Sequence, residues 1–98
     1  MTITKKLNGS TLTISLEGRL DTGTAPQLEA ELNSSLSGVS ELIIDMEQLS
    51  YITSAGLRVL LAAQKIMYEQ GEMVVRNVND DIMEVFDGTG FSDVLTIE

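Results

Sequence analysis

The start of the chain alternates polar and apolar side chains, which predicts two short strands. Between Leu12 and Leu16 every second residue is apolar, the period of a strand with one buried face. Residues 2–7 show a weaker form of the same pattern, and the Asn8-Gly9 pair between the two segments is typical of a tight hairpin turn. We therefore expect an antiparallel hairpin whose second strand covers residues 11–18.

Leucines that recur every four residues predict a helix after the hairpin. The residues on one face of this helix are Leu28, Leu32 and Leu36. Thr24 is followed three residues later by Gln27, which predicts a capping box at the start of the helix, and Pro26 suits its first turn. The helix is expected to end at Ser37-Gly38.

A continuous apolar run over residues 41–46 predicts a central strand that is buried on both faces, and residues 47–53 are predicted to form a loop. A second helix is expected from Ser54 to Gln70, with Gly71 as its stop signal. The apolar side of this helix comprises Leu57, Leu60, Leu61, Met67 and Tyr68.

The last part of the chain predicts a short strand over residues 73–75 and a third helix. Asn79 or Asp80 is expected to cap the start of that helix, and Gly88 to close it. Its apolar residues are Ile82, Met83, Val85 and Phe86. Residues 94–97 add a last edge strand.

The predicted element order is β-β-α-β-α-β-α-(β) in a single domain covering residues 1–98. Helical crossovers between extended segments favour parallel pairing with right-handed connections. We therefore expect an α/β fold, with a mixed, mostly parallel β-sheet of four to five strands and helices packed on it. The expected core contains Ile14, Leu16, Ile43, Leu57, Leu60, Leu61 and Phe86.

Composition argues against an enzyme. The chain has no cysteine and no histidine, which excludes disulfides, thiolate chemistry, His-dependent nucleophiles and zinc held by these residues. It has no phosphate-binding loop or dinucleotide fingerprint, and no paired carboxylates with a metal-ligand spacing. We therefore expect no catalytic residue, no metal and no cofactor.

The net charge of −9 would repel nucleic acid and anionic membranes but attract a basic partner protein, although composition alone favours the simpler role of maintaining solubility. No apolar run is long enough to span a bilayer, and no apolar stretch follows Lys6 as a secretory signal would require. We therefore expect a cytoplasmic protein that binds neither nucleic acid nor membrane.

Two adjacent hydroxyls, Thr53 and Ser54, stand where the second helix begins. A helix start offers free amides and the positive end of the dipole, so a phosphate would be tolerated there. Gly56 is expected to bare the backbone of the first turn to an approaching protein. Serine and threonine are also the ordinary N-cap residues, so local physics alone leaves both the capping role and a switch role open.

Three segments resemble the conserved blocks of the STAS domain family (sulfate transporter and anti-sigma factor antagonist). They are ISLEGRLD at residues 14–21 with TAP at 24–26, LIID at 42–45, and ITSAGL at 52–57 with VLL at 59–61. The likeness extends over nearly the whole chain, and the three blocks in combination are specific to the family.

The resemblance implies an anti-sigma factor antagonist with Ser54 as its phosphoacceptor. Thr53, where many relatives carry Asp, is the competing hydroxyl. The unphosphorylated form would bind an anti-sigma factor that is a serine kinase and so free the sigma factor, phosphorylation would release the kinase, and a serine phosphatase would reset the cycle. The implied partner-binding residues are Asp21, Thr24, Thr53, Ser54, Gly56 and Leu57.

The alternative within the same family is a non-switching STAS subunit that binds a transporter ATPase or another partner protein. In that case Ser54 would only cap the helix or contact the partner directly.

Overall fold

A four-stranded sheet with strand order β1-β2-β3-β4 forms the centre of the molecule. The computed structural model describes all 98 residues. The elements are β1 Thr2–Asn8, β2 Thr11–Leu20, α1 Ala25–Ser35, β3 Glu41–Ile52, α2 Ser54–Gln70, β4 Glu72–Arg76, α3 Asp80–Thr89, and a 3-10 turn at Phe91–Asp93. The first strand pair is antiparallel and the other two are parallel, which confirms the predicted α/β fold. None of the helices combines the length and apolar character that crossing a membrane requires.

The hairpin lies where the sequence predicted it. Asn8 pairs with Thr11, and Gly9 takes the positive φ of +63° that a tight turn needs. Along β2, Leu12, Ile14 and Leu16 are buried while the residues between them are half-buried, so the alternating pattern marks the inner face correctly.

The central strand β3 differs from the prediction in two ways. Leu42, Ile44 and Met46 are buried, but the alternate residues Ile43 and Asp45 are only half-buried, so the expected burial of both faces is wrong. The strand also continues to Ile52, so most of the predicted loop over residues 47–53 is strand instead.

Two irregularities explain why the sequence at the end of β3 lacks the alternating pattern of a strand. The parallel pairing of β2 with β3 shifts register twice, and each shift adds one residue to β3. Leu49 and Ile52 are therefore buried at a spacing of three after Met46, which breaks the two-residue alternation typical of a strand. Beyond these shifts, Leu20 still pairs with Ile52.

The ends of α2 and α3 are set by specific residues. Helix α2 begins at Ser54 and stops at Gly71, as predicted. Helix α3 is capped by Asn79, whose side chain accepts a hydrogen bond from the Ile82 N–H. It closes at Gly90 and not at Gly88, because Gly90 is the glycine in the left-handed conformation. The predicted last strand is reduced to one bridge between Val75 and Ile97.

The core is continuous beneath the three helices. Ile14, Leu16, Leu57, Leu60 and Phe86 are buried as expected, together with Leu28, Leu32 and Leu36 of α1. The predictions for Ile43 and Leu61 are wrong, since both are half-buried. Tyr68 is 67% exposed, because it lies on the solvent side of the last turns of α2.

Candidate functional site

The carboxyl ends of the parallel strands β2 and β3 bring two predicted site segments together. Leu20 and Ile52 are paired, and the N–H of Thr53 donates to the Leu20 carbonyl oxygen at 3.0 Å. The loop that follows β2 therefore lies beside the start of α2. Together, residues 19–24, residues 51–55 and Arg58 are called the strand-end surface below.

In the turn before α1, Asp21 and Thr24 form the kind of reciprocal hydrogen bonds that the sequence predicted for Thr24 and Gln27. The Asp21 carboxylate accepts hydrogen bonds from the Thr24 N–H at 3.1 Å and the Gly23 N–H at 3.0 Å, while the Asp21 N–H donates to the Thr24 hydroxyl at 2.9 Å. Thr24 itself makes no cap bond to α1, so the predicted Thr24–Gln27 box is wrong. Gln27 instead donates to the Met1 carbonyl oxygen.

The surroundings of Asp21 favour its ionised form. The hydrogen bond from the Thr24 N–H lowers the pKa of Asp21 most, and the Thr24 hydroxyl, the Gly23 N–H and the Arg19 charge lower it further against partial burial. The Arg19 guanidinium lies 3.7 Å from this carboxylate and 4.2 Å from the ring centre of Tyr51. These contacts give the loop a fixed shape and a fixed negative charge.

The two candidate hydroxyls at the start of α2 have different surroundings. Ser54 is exposed and is the first residue of the helix. The Thr53 hydroxyl oxygen is buried and has no hydrogen-bond partner, and its side chain makes no cap bond. The first helical acceptor is the Thr53 carbonyl, which binds the Leu57 N–H at 3.0 Å, so the amides before Leu57 have no acceptor within the helix.

Gly56 and Leu57 face the interior and not the solvent. A Cβ on Gly56 would lie 2.7 Å from Leu20 Cγ and 2.9 Å from Ile52 Cγ1, so only glycine lets this turn approach the strand ends so closely. Leu57 is buried in the core. The expectation that Gly56 bares the backbone is therefore wrong, and both residues hold α2 in place beneath the surface.

A depression of about 200 Å³ separates the start of α1 from the start of α2. Its lining comprises Thr22, Ala25, Pro26, Glu29, Ala55, Arg58 and Val59. The hydropathy pattern does not indicate Arg58 or Thr22. The spacing of four residues between Ser54 and Arg58 is the one sequence feature that places Arg58 near Ser54 on the helix. The molecule has no cluster of three or more carboxylates that could hold a metal ion.

Comparisons with known proteins agree on the family. The STAS domain model matches residues 2–98. A Bordetella bronchiseptica protein, the candidate anti-sigma factor antagonist BtrV, is 38% identical over 84 residues, which are 84% of this chain and 72% of that protein. An anti-sigma factor antagonist structure from Mycobacterium paratuberculosis has a TM-score of 0.89 at 21% identity, covering 98% of this chain and 83% of that one. The phosphorylated form of the Bacillus cell fate determinant SpoIIAA has a TM-score of 0.77 at 21% identity, covering 99% and 91%.

Proposed function

Because this chain belongs to the STAS domain family and to its anti-sigma factor antagonist group, we propose that it is an antagonist switched by phosphorylation. Its unphosphorylated form binds an anti-sigma factor that is a serine kinase, and the sigma factor is released. The kinase then transfers the γ-phosphoryl group of ATP to the Ser54 oxygen, the hydroxyl proton is lost and ADP leaves. The phosphorylated chain dissociates, and a serine phosphatase restores it by hydrolysis.

The observation that carries this proposal is the contrast between Ser54 and Thr53. Ser54 is exposed on the strand-end surface, whereas the Thr53 hydroxyl oxygen is buried against the molecule. A kinase must bring the acceptor oxygen in line with the phosphate of ATP, and only an accessible hydroxyl permits this. The contrast supports Ser54 as the acceptor over Thr53. The existence of a phosphorylated SpoIIAA structure supports a phosphate switch in a protein of the same fold.

A phosphate on Ser54 should leave the fold intact. The amides of the first turn lack helical acceptors, and α2 has no acidic residue there that would repel the new charge. A phosphate adds about −1.5 to −2 charge at neutral pH. The phosphate should therefore weaken binding to the partner and not the fold. Like charges and poorly solvated groups across an interface cost several kcal/mol of binding free energy.

The predicted partner-binding residues take different parts in this proposal. Ser54 would contact the partner directly, and Asp21 and Thr24 would present the neighbouring loop in its fixed shape. Thr53, Gly56 and Leu57 would act indirectly, because their side chains or backbone lie against the interior.

The test is to purify the partner from native cells with the tagged chain, identify it by mass spectrometry, and incubate the two with ATP. The wild-type chain should gain phosphate at Ser54 and lose affinity by a factor of about 100 or more, since each 1.4 kcal/mol is tenfold. Ser54→Ala should keep its partner and stay unmodified, and Ser54→Asp should bind weakly.

Thr53→Val is the matched control for the second hydroxyl, and it should be phosphorylated like the wild type. Phosphorylation of Ser54→Ala at Thr53 at the wild-type rate would show that the wrong acceptor was chosen. If the isolated partner phosphorylates no form of the chain, the non-switching subunit that binds a transporter ATPase or another protein is the better reading.

A further inference from the structure

Arg58 lies one helical turn beyond Ser54 on the same side of α2. Residues four apart on a helix have Cβ atoms about 5–6 Å apart, and helical side chains lean toward the N-terminus. The Arg58 side chain can therefore reach back over the first turn of α2 toward Ser54. Arg58 lines the depression between α1 and α2 together with Ala55, the residue that follows Ser54.

The Arg58 guanidinium has no carboxylate partner, although the chain carries fifteen acidic residues and only six basic ones. The ion pairs in the molecule are Lys5–Glu31, Arg19–Asp21 and Arg76–Glu98. Arg58 also makes no side-chain hydrogen bond, unlike Arg76, which donates twice to Glu98. An exposed cation of this kind is available to bind a new anion.

On the basis of the function proposed above, we propose that Arg58 binds the phosphate on Ser54. Its planar guanidinium can donate two parallel hydrogen bonds to phosphate oxygens, the geometry that makes arginine the preferred partner of phosphate in proteins. The free amides of the first turn of α2 would bind the remaining oxygens. Phosphorylation would then do two things at once, placing a dianion on the strand-end surface and withdrawing a free guanidinium from it.

The other charged side chains around the start of α2 have opposing effects on a phosphate at Ser54. Glu29 of α1 lines the same depression and opposes the phosphate, while Arg19 and Asp21 are paired with each other. Arg58 is thus the cation best placed to offset both the phosphate and Glu29. The dianion of the phosphate should therefore be stabilised relative to its monoanion.

Phosphorus NMR on the full chain, with phosphoserine installed at position 54 during translation, tests this pairing. The second pKa of a phosphoserine is about 6 in the absence of a partner. With Arg58 in place it should fall by about one pH unit, because a nearby opposite charge favours the dianion. Arg58→Gln should restore the ordinary value, and Arg58→Lys should restore it only in part. Arg58 is exposed, so these variants should fold like the wild type, and thermal unfolding will verify this.

Lys65→Gln is the matched control, since Lys65 is another exposed cation of α2 and its loss changes the net charge equally. An equal shift in Arg58→Gln and Lys65→Gln, or no shift in either, would overturn the pairing. The phosphate is installed without a kinase, so this result does not depend on whether a kinase modifies Ser54. A failure of the proposed function and a failure of the Arg58 pairing are therefore distinguishable.

Discussion

Helices α2 and α3 begin in opposite ways. At the start of α3, Asn79 accepts the Ile82 N–H at 2.8 Å, and Asp80 and Asp81 place negative charge in the first turn. At the start of α2, Thr53 makes no cap bond and no acidic residue follows it. The start of α3 thus satisfies its own amides and dipole, whereas the start of α2 leaves them to an outside group.

Packing replaces the missing cap in α2. Gly56 lies directly on Leu20 and Ile52, and Leu57 is buried beneath the first turn. The helix start is therefore held by contacts with the ends of two strands, on the side away from Ser54. This arrangement keeps the helix in place while its first amides have no helical acceptor, which is compatible with the phosphate proposed at Ser54.

Gly56→Ala should break this arrangement with the largest effect. The added methyl would meet the side chains of Leu20 and Ile52 at less than 3 Å, and overpacking of this kind costs about 1–3 kcal/mol. Urea unfolding should show a loss of that size. Gly88→Ala is the matched control, because a Cβ there meets nothing within 4 Å and should raise stability by about 0.5–1 kcal/mol. A Gly56→Ala variant as stable as the wild type would mean that packing does not hold the start of α2.

Removing the two N-cap side chains should have a smaller and unequal effect. Asn79→Ala should cost about 1 kcal/mol, because it removes the acceptor for the Ile82 N–H. Thr53→Val should cost nothing or slightly stabilise the chain, because the hydroxyl that it removes is buried without a partner. Equal losses in the two variants, measured by urea unfolding, would contradict the distinction between a capped and an uncapped helix start.

Asp21, in the turn that leads into α1, extends the comparison and should give the smallest effect. Its pKa in the folded chain lies below the ordinary value of 3.8, so its ionised form stabilises the fold above that pH, and this stability is lost as the pH falls through the folded-state pKa. Asp21→Asn should therefore be less stable than the wild type at neutral pH. Unfolding curves at decreasing pH should converge at the acid end, and a constant difference at every pH would rule out this role of the carboxylate.

The sequence predicted most of the fold because its elements have clear local signals. The hairpin turn, the leucine repeat of α1 and the Gly71 stop are each visible within a few residues. The predictions were wrong where two segments had the same local pattern, or where strand pairing interrupted the two-residue alternation of a strand. Asp21–Thr24 and Thr24–Gln27 have the same spacing, and only the fold shows that Thr24 bonds backward to the Asp21 N–H.

The candidate site could be predicted in position but not in detail. Ser54 as the phosphoacceptor stays a prediction, made from its place before an amphipathic helix and from a family resemblance. The burial of the Thr53 oxygen and the packing of Gly56 depend on where β2 ends, which no local pattern reports. The spacing of Arg58 from Ser54 is visible in the sequence, but the depression that Arg58 lines is known only from the fold.

The two extra residues in β3 bear on how this chain can vary. They lie between Asp45 and Tyr51, immediately before the segment that carries Ser54. Deleting one residue there would reverse the side of the sheet that the following side chains face, and Ile52 would lose its place beneath α2. Substitutions in this stretch should therefore be tolerated far more readily than insertions or deletions, so that relatives should conserve its length more strictly than its residues.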